Sequence, residues 1–163
     1  MKIAVYLLAI FALPACGGGN SGGDGGSDGS DGPPVCGAVE FIAVGTLNGS
    51  PVEERATVSG QFLVNVPGDT GCYVNVYFEG GGRLRLEWAD TLAAGQSRPA
   101  AGSVNLEAQG GINVGNCSDR GYASEMTMLE NGVEFTLKSL HQAPYCSGAA
   151  YTGELAGCAR FTQ

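Results

Sequence analysis

The chain has 163 residues, with 8 Lys+Arg against 16 Asp+Glu, a formal net charge of −8 and 28 glycines. So acidic a balance disfavours nucleic acid as a partner and adsorption to anionic lipid, since both are polyanions that would repel the chain. The length suits one core of common domain size.

At the start, Lys2 supplies a short positive region and residues 3–13 are apolar and uncharged, the layout of an export signal. The stretch is shorter than the roughly 20 residues a membrane-spanning helix needs, so residues 1–15 are read as a cleaved signal. Leu13-Pro14-Ala15-Cys16 closes it with an apolar residue, a proline where Ala or Ser is more usual, a small residue and a cysteine. This run resembles the lipobox of bacterial lipoproteins. The resemblance implies that the Cys16 thiol takes a diacylglyceryl group as a thioether, and that cleavage before it frees an amine for a further chain such as palmitate. Each buried CH2 contributes about 0.8 kcal/mol, so two or three chains hold a protein to a membrane. Gly17, where an aspartate would imply inner-membrane retention, implies the outer membrane, with the domain on its periplasmic or surface face.

Residues 16–35 form a linker, almost entirely Gly, Ser and Asp between Cys16 and Pro34. Such a segment cannot repay its ordering entropy and reads as a flexible tether of about 25 Å mean span. Asp24, Asp28 and Asp31 lack the alternate-position oxygens and terminal Glu of a calcium loop, so they are read as solvated.

Residues 36–163 read as one all-β domain, a single antiparallel β-sandwich or small β-barrel, because apolar and polar residues alternate between glycine-rich turns. Strands are expected at 39–47 and 56–66. A hairpin follows, with Cys72, Val74, Val76 and Phe78 on one face and Leu84, Leu86 and Trp88 across a Gly80-Gly81-Gly82 loop. That loop length sets Phe78 opposite Leu84, Val76 opposite Leu86, Val74 opposite Trp88, and Glu79 against Arg83. Residues 89–101 read as loop or a single helical turn, and 103–108 as a strand. Asn131-Gly132 suits a type I′ turn, setting Met128 opposite Phe135 and Met126 opposite Leu137. The last strands are expected at 151–156 and 159–161.

Five cysteines follow Cys16, and an exported chain makes disulfides their default state. The preferred pairs are Cys72 with Cys117 and Cys146 with Cys158, leaving Cys36 as the odd thiol. With no Cys-x-x-Cys and one histidine, His141, the chain offers no metal-ligand cluster and implies no cofactor. Nor does it offer a Gly-x-Ser-x-Gly elbow. Glu53 and Glu54 are adjacent, so a strand points them to opposite faces, and both are read as solvated. His141, beside a turn at Pro144, reads as a surface side chain.

On the polar face of the first hairpin, Tyr73, Tyr77, Arg83 and Arg85 form a candidate patch for a carboxylate or sugar. Ser147-Gly148-Ala149-Ala150-Tyr151, followed by Cys158, resembles the Ser-Gly-x-x-Tyr loop of the small lipoprotein inhibitors of C-type lysozyme, which are β-barrels; the resemblance implies periplasmic enzyme inhibition. The expectation is therefore a non-catalytic, lipid-anchored envelope module with an envelope protein or glycan as partner. The alternatives are that inhibitor and a hydrolase whose loop-built site would use His141 and an acidic residue.

Overall fold

Alternating sequence becomes a sheet that closes on itself. The computed structural model describes residues 36–37, 40–66, 71–116, 122–142 and 148–162, all within one unit, Gly32–Gln163. Its strands are β1 (Glu40–Leu47), β2 (Ser50–Val64), β3 (Cys72–Phe78), β4 (Arg83–Trp88), β5 (Ser97–Asn105), β6 (Asn113–Gly115), β7 (Ser124–Leu129), β8 (Gly132–Leu137), β9 (His141–Gln142) and β10 (Leu155–Arg160), with one 3-10 turn at Glu107–Gln109. Eight of them run β1-β2-β3-β4-β5-β7-β8-β10, each antiparallel to the next, and β10 pairs back onto β1 to shut an eight-stranded barrel. Closure pairs the first strand with the last, which is how a barrel removes the edges of a sheet.

Two strands turn the corners. The first half of β2 pairs with β1 and the second with β3, with a bulge between Val58 and Gly60. Likewise β5 pairs with β7 through Ala100 and with β4 from Ala101. Strands that switch sheets through bulges or bends are how orthogonally packed sheets close. Gly102 sits at the second corner, where a Cβ would lie 2.5 Å from Leu86 Cδ2 and 2.9 Å from Leu137 Cδ2.

An eight-stranded barrel is just wide enough for side chains to fill. Here Phe41 packs on Phe78 and Phe135 with ring centroids 4.6 and 6.0 Å apart, and Trp88, Leu84, Leu86, Leu137 and Leu155 are fully buried around them. Each such side chain contributes roughly 1.5–3 kcal/mol by leaving water. Leu92 and Leu106, at opposite ends of β5, are also buried. The Asn65 amide holds the first of these loops by donating to Leu92 O at 2.6 Å and accepting from Leu92 N at 2.9 Å. Residues 89–96, which carry no periodicity, thus place Leu92 in the core.

The expected faces are present, but both hairpin registers move by two residues. In the first, Val76 lies opposite Leu84, Val74 opposite Leu86 and Cys72 opposite Trp88, so Tyr77, not Glu79, faces Arg83. The connection is Glu79 plus three glycines at φ 76, 100 and 94°, a left-handed run that only glycine takes without cost. In the second, Met126 faces Phe135 and Met128 faces Val133, with Glu130 and Asn131 at the turn. Gly132 belongs to β8, and its missing Cβ admits Ala159 O of β10. Meanwhile Asn48-Gly49, at φ 52 and 79°, makes a two-residue hairpin turn between β1 and β2 that the sequence reading passed over. β2 accordingly begins at Ser50 rather than 56, β5 spans 97–105 rather than 103–108, and β10 is one strand in place of two.

The cysteine pairing also differs. Cys36 bonds Cys158 (Cα–Cα 5.9 Å, 122 residues apart), so Cys36 is not the odd thiol and Cys146 is not the partner of Cys158. The bond lies on the outer wall over Ile42 and Val44, across the β1–β10 seam. Cys72, expected to pair with Cys117, is a free, fully buried thiol on β3 opposite Trp88 of β4. Burial pushes that thiol above its ordinary value, and the charge of Asp90 pushes the same way. Cys117 and Cys146, like the signal, Cys16 and the linker, lie outside the described residues.

Candidate functional site

Because the pairings β2–β3–β4–β5–β6–β9 are continuous, outward side chains fall into straight rows. One row runs Phe62, Asn75, Arg85, Ser103, Gly115 and His141. The next runs Gly60, Tyr77, Arg83, Asn105 and Asn113. A third holds Val64, Tyr73, Glu87 and Ala101. With strands 4.7–4.9 Å apart, the longest row crosses about 24 Å.

All four residues of the expected patch lie on this face, but they divide into two pairs. The Arg85 guanidinium sits 4.7 Å from the Tyr73 ring centroid, donates through Nε to Glu87, and reaches Asn75 Oδ1 at 3.2 Å. Phe62 leans on the same tyrosine, with centroids 6.0 Å apart. That stack is held from three sides. Tyr77 and Arg83, one row over, are exposed, as is the outward part of Phe62, which is 53 % accessible. Between Phe62 and Tyr77 on the outer surface is Gly60, above which a Cβ would meet nothing within 4 Å.

Toward the other edge the face becomes one of amides. Asn105 Oδ1 accepts from the Glu107 backbone N–H at 3.1 Å, and Asn113 Nδ2 donates to Glu107 Oε2 at 3.0 Å. Asn113 Oδ1 is buried without a partner. His141, expected as a surface side chain, is half-buried on β9, with Nδ1 3.4 Å from Gly148 O; Pro144 lies outside the described residues. The sequence reading missed Gly60, Phe62, Asn105 and Asn113. The bulge after Val58 shifts the phase of β2, so Phe62 turns outward where unbroken alternation would turn it in, and the amides enter through β5–β6, a pairing with no local signal.

Elsewhere, Glu53 is exposed and bonded to Arg55 at 3.0 Å, a pair that contributes little in water. Glu54 faces inward at the rim, near Gly111, and is partly buried rather than fully solvated. A shallow recess of about 310 Å3 on the β5–β7 wall is lined by Arg98, Tyr122, Glu125 and Lys138 among others, at the low end of small-molecule site volumes. Of the loop read as Ser147 to Tyr151, Ser147 is outside the described residues and Tyr151 packs against the core. Among the described residues no three His, Cys, Asp or Glu side chains gather as a metal site, and no helix is long and apolar enough to cross a membrane. Comparison with protein-family models, with curated proteins and with solved structures gives no match.

Proposed function

We propose that the protein is a lipid-anchored, non-catalytic binding module of the bacterial cell envelope, working through the outer face of β2–β3–β4. The observation that carries the binding role is the continuous row structure, which gathers exposed rings and guanidinium groups on one wall of a barrel whose interior is filled by its own side chains. The Cys36–Cys158 bond supports export, since disulfides persist in oxidising compartments. The anchor rests on Leu13-Pro14-Ala15-Cys16 and the tether after it. Tyr151 of the inhibitor-like loop is turned to the core, which ranks lysozyme inhibition second.

Intact mass of protein extracted from membranes tests the anchor. A lipid-sized increment that disappears in Cys16→Ala is the expected result. An unlipidated wild-type chain would overturn it.

A further inference from the structure

The hydrogen bonds of an antiparallel ladder lie across its strands and follow one another along them. Tension on the end of a strand therefore breaks them one pair at a time. Tension on the middle of a strand that has neighbours on both sides must break several together.

The chain enters the domain at a strand end. β1 begins at Glu40, and residues 16–35, read as the tether, lead towards it. Between tether and strand stands Cys36, and its bond to Cys158 gives tension a second way in. Cys158 lies inside β10, paired with Ile42 of β1 on one side and Glu134 of β8 on the other. Cys36 is only 8 % exposed and packs with Cys158 and Ile42 against Val44. The chain is thus fastened to the outer wall before it reaches the first pair of β1, Glu40 with Thr57. Loop closure alone does not ask for this place, because its contribution changes only with the logarithm of loop length. A bond from within β1 to β10 would close nearly the same loop and leave Glu40 as the first paired residue to take the load.

We propose that the Cys36–Cys158 bond is a load-bearing lock: tension arriving along the tether passes through the sulfurs into the middle of β10, and β1 is not peeled from the seam that closes the barrel. The proposal rests on the reading of the chain as an anchored module that binds a partner, since such a module is pulled between its tether and its outer face. A lock differs from loop closure in what it changes. Closure restricts the unfolded chain and is blind to where the domain is pulled; a lock acts on the folded barrel, and only for load that enters through Cys36.

The full chain in detergent is held at constant force in magnetic tweezers between azide-bearing residues replacing Ser27 in the linker and Glu79, which is exposed in the β3–β4 connection. A control geometry pulls between Glu79 and Glu130, exposed at the β7–β8 turn, so that the load does not enter through Cys36. Cys36→Ala with Cys158→Ala should shorten the folded lifetime about ten-fold or more in the first geometry and less than about two-fold in the second, forced unfolding being governed by the unfolding rate. If that variant does not fold, wild-type protein captured folded and then reduced by a phosphine at low force gives the same comparison. An unchanged lifetime in the first geometry, or an equal loss in both, would overturn the lock. A lipidated chain without the geometry-dependent loss removes the lock and leaves the anchor standing; the loss in a chain that carries no lipid does the reverse.

Discussion

The barrel closes between its first and last strands, and the Cys36–Cys158 disulfide at that seam ties residues 122 positions apart. Replacing both partners, Cys36→Ala with Cys158→Ala, removes that constraint from the unfolded chain. In the chain-entropy model a loop of this size is worth about 5 kcal/mol, a large share of the 5–15 kcal/mol of a typical domain. Lost contacts are smaller. Cys36 and Cys158 touch only the satellite cluster of Ile42 and Val44, and two sulfur-sized groups account for about 2 kcal/mol at the transfer value of a buried methylene each. Urea unfolding of the full chain should therefore show a loss well above 2 kcal/mol, with a steeper denaturant slope, because an uncrosslinked unfolded chain exposes more surface. A loss of 2 kcal/mol or less with an unchanged slope would refute the entropic reasoning and reduce the bond to its local packing.

Three further outcomes follow from the interior. Gly102→Ala drives a methyl into Leu86 and Leu137 and should cost about 1–3 kcal/mol, the range for overpacked cores, seen as a lower melting temperature; an unchanged one would mean the corner relaxes freely. Burial, and after it the charge of Asp90, raise the Cys72 thiol above its ordinary value. Its contribution is thus fully present below the unfolded thiol value and is lost as pH rises through the folded one, so stability should decline above about pH 9, and Cys72→Ala should flatten that part of the decline. Trp88 is the single tryptophan and fully buried; its emission should be blue-shifted and protected from acrylamide until the barrel unfolds, and a quenchable native signal would contradict its place in the core.

The sequence by itself determined the class of fold and the sidedness of its strands. Val74, Val76, Leu84, Leu86 and Trp88 point inward as their alternation requires, and Tyr73, Tyr77, Arg83 and Arg85 share the outer face. Sidedness is a local property: each side chain reports whether its own position is wet or dry. Register is not. A period of two is unchanged by any even shift, so the two hairpins kept their faces while both slid by two residues, one on the conformation of three left-handed glycines and the other on the approach of Ala159 to Gly132. Tertiary structure alone decided which strands met. Pairing of β10 with β1 brought Cys158 to Cys36 rather than to its sequence neighbour Cys146, and the β2 bulge turned Phe62 outward beside Gly60. Those outcomes depend on closing a barrel over more than a hundred residues of chain, and no window of local sequence holds the strand on the other side of the seam.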